Sequence, residues 1–186
     1  MSSEHNLPSF GNDPTTSAQF SSLIARLLDY CAAGLEGLTE EQVSDTRRGI
    51  TNSIGFDIWH VVRTIDNIIF FVFEREQPIW LKGEFDKRWG FPPVDQGTDM
   101  DVEEAYALRF PEGSAFLEYI QSVKIAVVPK IREMDDEYFS VIQFVRPWGE
   151  VSRMEMIGHG LIGHGNGHLG RVSLARNLYG LEGLAY

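Results

Sequence analysis

A single cysteine, Cys31, stands in the 186 residues. One thiol excludes an intrachain disulfide and any zinc cluster built on several cysteines, and it suits a reducing compartment. Basic charge is also scarce. Lys and Arg total 16 against 27 Asp and Glu, for a net charge of −11. A chain this acidic repels phosphate backbones, which argues against nucleic acid as a partner. Long apolar runs are missing too. The most apolar stretch, Ile65 to Phe73, carries Asp66 and Asn67 and is too short to cross a bilayer. The opening MSSEHNLPSFGNDPTT has no basic start followed by an apolar run, so it does not read as a signal peptide. A cytoplasmic protein with no membrane partner is expected.

Apolar periodicity is plentiful. Hydrophobic residues make up 43% and charged residues 23%, ordinary globular usage for one domain with a sizeable core. Residues 1–12 read as a loose tail and 13–186 as the domain. Asp13-Pro14 reads as the start of a first helix, with Phe20, Leu23, Ile24, Leu27, Leu28 and Cys31 at helical spacing and Gly34 at its end. Thr39 and Gln42 form a capping box. A second helix is predicted over 52–74, with an inner stripe of Ile54, Ile58, Val61, Ile65, Ile68 and Val72. The connection from 78 to 111 is long and irregular, and Trp80, Phe85, Trp89 and Phe91 argue that it packs on the protein, with a short helix at 101–108. A third helix begins near 112–114 and carries Phe116, Ile120, Val123, Val127, Ile131 and Met134, with Pro129 as a kink. Residues 138–150 look extended. A fourth helix is predicted over 152–178. Four long amphipathic helices with one long crossover define an all-α four-helix bundle.

Histidine is the residue whose placement carries information. There are five. His5 lies in the tail, His60 on the second helix, and His159, His164 and His168 on the fourth. His164 and His168 are four apart, so they share a helix face about 40° apart and one turn up. Two imidazoles at that spacing can grip one ion. Ile157, Leu161, Val172, Ala175 and Leu178 fall on the same face, which turns the pair inward. His60 is placed to supply a third nitrogen. Three nitrogens with coordination positions left open is the pattern of a working metal site. In a regular helix His159 lies about 140° from His164 and is read as a surface residue.

Asp57 sits one turn before His60 within the apolar arc, where a carboxylate needs a partner. It reads either as a hydrogen-bond partner of His60 or a general acid/base, or as a plain salt-bridged first-turn acid. Thr64 is either a donor to bound water or a packed threonine. Trp59 and Trp148 are candidate pocket walls or core. Of the many glycines on the fourth helix, Gly163 and Gly167 are expected to permit close contact with a neighbouring helix or a second subunit, and Gly160 to open the pocket.

The segments SIGFDIWHVVRTIDN and EMIGHGLIGHGNGHLGRVSLARNLYGLEG resemble the DinB/YfiT-like superfamily, in which a histidine of the second helix joins an HxxxH pair on the fourth. The resemblance spans about residues 20–184 and maps that set onto His60, His164 and His168. It implies a four-helix bundle, often dimeric, that holds a divalent metal such as zinc or nickel, with iron also acceptable to three imidazoles. Characterised members include mycothiol-dependent maleylpyruvate isomerase and bacillithiol S-transferases. This chain departs from the pattern at Arg171, where members often carry Glu or Gln.

The function expected is therefore a metal-dependent enzyme using a low-molecular-weight thiol to transfer to, or isomerise, a small electrophilic substrate. Arg63, Arg146 and Arg171 are candidates to hold carboxylates of the thiol cofactor. A hydrolase using metal-bound hydroxide, and a non-catalytic metal- or ligand-binding protein, are the alternatives.

Overall fold

The computed structural model describes residues 13–184. The expected tail, residues 1–12, lies outside them. The chain runs through α1 (Thr16–Ala33), α2 (Glu40–Ser44), α3 (Ile54–Asp66), α4 (Ile79–Lys82), α5 (Phe85–Trp89), α6 (Val102–Ala107), α7 (Gly113–Arg132) and α8 (Asp136–Ser140). Strands β1 (Ile142–Val145) and β2 (Gly149–Ser152) follow, then α9 (Arg153–Glu155) and α10 (His164–Leu178). Two π-helical stretches complete the long helices: Asn67–Val72 extends α3, and Met156–Gly163 joins α9 to α10. The four long helices pack α1 on α7 and α3 on α10, giving the all-α bundle.

The local starts follow capping chemistry. Thr15 caps α1 by accepting from the Ala18 N–H, so the helix begins past Asp13-Pro14, while Asp13 accepts from the Thr15 amide. The capping box of Thr39 and Gln42 closes as predicted. Ser53 accepts from the Phe56 N–H and starts α3. The segment predicted extended over 138–150 is only partly so. Asp135 caps a short helix through the Tyr138 N–H, and the antiparallel hairpin β1–β2 begins at Ile142, with Ile142 opposite Ser152 and Val145 opposite Gly149.

The crossover packs as its aromatics require. Trp80, Phe85 and Phe91 are buried and interlock with Trp59, Phe110, Phe116 and Tyr119. Asp66, fully buried, stitches this region to α3: it accepts from the Ile79 and Trp80 N–H groups and from the Tyr119 hydroxyl. A buried carboxylate with three donors is satisfied, which is how an acid survives inside the apolar stripe.

Within the chain, neither Gly163 nor Gly167 meets a neighbouring helix. Gly167 faces open space, and Gly163 meets only its own helix. Gly165 is the close-approach position, since an added Cβ would lie 2.7 Å from Leu27 Cδ2 on α1. Leu178, placed on the inner face by spacing, is exposed. Gly55 is tighter still. A Cβ there would stand 2.5 Å from Phe110 Cδ2 and 2.9 Å from Val43 Cγ1.

These two environments predict opposite signs. Gly55→Ala is expected to destabilise by about 1–3 kcal/mol through overpacking. Gly167→Ala is expected to stabilise by up to about 1 kcal/mol, because it adds helix propensity in open space. Urea unfolding of both variants measures this; equal shifts would contradict the packing described.

Candidate metal centre

α3 delivers His60 and Asp57 from one buried face. The fourth helix delivers His164 and His168, and the π-helical stretch ends where His164 begins. Hydrogen bonds of the i→i+5 type change the rotational phase of the helix before the pair arrives. The regular-helix premise behind the 140° offset of His159 therefore does not apply. His159 is nevertheless exposed and is not among the converging nitrogens.

The three remaining imidazoles meet. His164 Nε2 stands 3.0 Å from His168 Nε2 and 3.4 Å from His60 Nε2. All three ligand atoms lie within 4.8 Å of one another. For nitrogens about 2.0–2.1 Å from a tetrahedral ion, neighbouring ligand atoms are roughly 3.3 Å apart. The spacing fits one ion.

Two rings have their tautomer set from behind. His60 Nδ1 lies 2.5 Å from the Gln96 carbonyl oxygen, so Nδ1–H donates and Nε2 keeps its lone pair. His168 Nδ1 lies 2.8 Å from Asp57 Oδ1 and donates to that carboxylate, which it shares with the Arg171 Nη2 group standing against the same ring nitrogen. Both free Nε2 lone pairs thus face His164 Nε2. One proton there satisfies a single neighbour, whereas a cation satisfies all three. The protonation of the rings agrees. Burial first, and then the neighbouring His168, hold His60 down to about 4, and burial likewise holds His164 at about 4. Neutral imidazole is the ligand form.

Asp57 is the anchor of this arrangement, and its partner is His168 rather than His60. Arg171 grips the same carboxylate with two bonds, Nε to Oδ2 at 3.1 Å and Nη2 to Oδ1 at 2.8 Å. Burial pushes the Asp57 carboxyl up, but hydrogen bonds from His168 and Arg171 more than offset this and leave it below its ordinary value. The departure at Arg171 therefore has a role here: it supplies a countercharge to a buried carboxylate.

The rings open on one side to a cavity of about 330 Å³. Phe56, Met100, Val102, Pro147 and Trp148 form its apolar walls, and Asn52, Thr98 and Asp99 its polar part. Trp148 is a pocket wall, as one reading of the sequence had it, while Trp59 is fully buried core. Gly160 does not line the cavity; it lies against the Met156 side chain. Thr64 donates to the His60 carbonyl oxygen at 2.7 Å and is a packed threonine.

Of the three arginines, the structure brings only Arg171 to the histidines. Arg146 is exposed at the hairpin turn, next to Pro147 and Trp148 of the cavity wall. Arg63 is 1% exposed and is absent from the cavity lining. The one support that sequence reasoning missed is the Gln96 carbonyl. A backbone acceptor 36 residues from His60 leaves no trace in residue type.

Four long helices around three inward imidazoles, open on one side, define a helical bundle with a centre suited to a divalent metal. The chain belongs to the DinB superfamily, whose family pattern matches residues 19–172. Among solved structures it is similar to a conserved protein from Enterococcus faecalis, at 17% identity and a TM-score of 0.75, covering 89% of this chain and 98% of that one. That likeness concerns the fold. No curated protein matches the chain in sequence.

Two outcomes follow for the metal. His164→Ala and His168→Ala are each expected to lose stoichiometric metal, and His159→Ala to keep it, as read by elemental analysis; metal loss in the His159 variant would refute the ligand set. In the metal-free protein, acid should destabilise the fold over a defined window. Well above pH 6.5 both histidines are neutral whether folded or unfolded. As pH falls from 6.5 towards about 4, the unfolded chain takes up protons that the buried rings refuse, so stability declines. Denaturant midpoints in the presence of chelator at pH 7.5, 6 and 4.5 test this, and a rise across the series would reverse the assignment.

Proposed function

We propose that this chain is a metal-dependent, cytoplasmic enzyme that uses a small-molecule thiol to transfer to, or isomerise, a small electrophile. The observation that carries the reading is a set of three nitrogen donors, open on one side to an apolar-walled cavity. A closed structural site would need a fourth protein ligand, and none joins the three among the described residues. Family membership supports the same reading, as does the donor set, which accepts zinc or nickel and also iron. When bound, the ion would supply Lewis acidity, lowering the pKa of a thiol enough for thiolate to exist at neutral pH.

The residues around the centre have separable tasks. Asp57 keeps the His168 proton on Nδ1, so that Nε2 faces the centre. Gln96 does the same for His60 through its carbonyl. The apolar walls exclude water from the reacting atoms. In this reading Arg146, adjacent in sequence to Pro147 and Trp148 of the cavity wall, and the outward part of Arg171 hold the carboxylates of a thiol cofactor. Arg63 is committed to buried partners and takes no part in holding that thiol. A homodimer belongs to the same reading and is testable by sedimentation.

The experiment is a thiol-consumption assay of the zinc- or nickel-loaded protein with a panel of low-molecular-weight thiols and monobromobimane. In this reaction the thiol sulfur forms a bond to carbon, bromide leaves and the thiol proton passes to solvent. Turnover is expected with at least one thiol and is expected to vanish in His168→Ala. Arg146→Ala should raise the KM for the thiol roughly tenfold and leave kcat within a few-fold. Ester or amide cleavage without any thiol would instead favour the hydroxide-using hydrolase. Ligand binding with no conversion would favour a non-catalytic binding protein.

A further inference from the structure

His60 is oriented by a backbone carbonyl on a loop, and loops are mobile unless something holds them. The structure shows what holds this one. Arg63 lies on α3, three residues beyond His60, and is 1% exposed. Its Nε donates to the Asp95 carbonyl oxygen at 3.2 Å, across 32 residues of sequence. Its Nη1 stands 3.5 Å from Asp66 Oδ2, and its guanidinium lies 5.2 Å from the centre of the Trp80 ring. The next residue along the loop is Gln96, whose carbonyl receives the His60 Nδ1 proton.

The loop is shaped to present that carbonyl. Asp95 Oδ1 accepts from the Gly97 N–H at 2.8 Å, closing a tight turn around Gln96. Gly97 has φ +83°, and a Cβ there would stand 2.8 Å from Phe56 Cζ and 3.1 Å from Trp59 Cζ3. The turn is therefore pressed onto α3 at one end and tied to Arg63 at the other. Its continuation, Gly97 to Met100, is a wall of the cavity.

A buried arginine is costly. Burying the pair it forms with Asp66 is not in general a source of stability, and apolar replacements often match such pairs. Asp66 already has three neutral donors without it. Besides a charge opposite Asp66, the guanidinium adds a hydrogen bond to one particular loop carbonyl. We propose that Arg63 is a positioning residue for the metal centre: by holding the Asp95 carbonyl it sets the Gln96 carbonyl against His60, and so fixes the direction of that ligand's lone pair. This inference rests on the reading of His60, His164 and His168 as metal ligands.

The test uses cobalt(II) as the probe, because its visible absorption reports both affinity and ligand geometry. Arg63→Lys keeps a cation beside Asp66 but loses the planar guanidinium that reaches Asp66 and the loop together. Its expected result is an unfolding midpoint near that of the unaltered protein, with cobalt affinity lowered 10–100-fold and a shifted visible band, the size typical when the support behind a ligand is removed. Gly55→Ala, destabilised at a point outside the loop and the centre, is expected to keep both affinity and band. Should Arg63→Lys fail to fold, Gly97→Ala displaces the same turn without touching Asp66 and is expected to lower the affinity in the same way.

Unaltered affinity and band in a folded Arg63→Lys protein would overturn the inference. So would an equal loss in Gly55→Ala, which would make the effect one of stability alone, or unaltered affinity in Gly97→Ala. If the unaltered protein itself takes up no cobalt, the metal reading fails, and the inference falls with it. These results are distinguishable because that last one appears before any variant is made.

Discussion

The centre depends on one carboxylate. Asp57 sits in the first turn of α3, almost fully buried, and such a group is tolerated only when its charge is answered. His168 and Arg171 answer it from α10, so the same contact docks the two helices and aims an imidazole. A buried acid spent in this way orients a ligand as well as joining two elements. The bundle's apolar stripes bring α3 and α10 together, but they are non-directional. The Asp57 contact gives that apposition a register.

The other ligands are supported by different means. His60 depends on the crossover, whose turn at residues 95–97 hands it a backbone carbonyl. His164 is half-buried and takes its direction from the helix itself, after the π-helical stretch has re-phased it. A helix, a side-chain ion pair and a loop thus each contribute one support. Loss of regularity in the fourth helix is part of this design. Six glycines between Gly158 and Gly170 lower the cost of non-α geometry there, and π-helical segments are frequent at functional sites.

The cavity shows the same division of labour. α3 lines it through Phe56 and His60 and α10 through His164 and His168, while the crossover forms one wall and the hairpin turn another, through Pro147 and Trp148. Two of these four pieces are connections between the long helices. Connections can change without disturbing the packing of the long helices, so the cavity walls are separable from the metal centre.

By itself, the sequence determined the all-α class, the four long helices and the inward placement of His164 with His168, because periodicity and the i,i+4 spacing are local properties. It also marked Asp57 as a carboxylate in need of a partner. Which partner that would be, His168 with Arg171 rather than His60, was decided only by the packing of α3 on α10. Arg63, Arg146 and Arg171 are alike as residues, and only the tertiary structure separated them: one buried on Asp66, one at the hairpin turn, one on Asp57. The Gln96 carbonyl was invisible beforehand, since every residue carries such a group. The physical reason is common to all three cases. Hydrogen bonds between distant segments depend on where the chain folds back, and residue type constrains which groups can bond far more than which groups will meet.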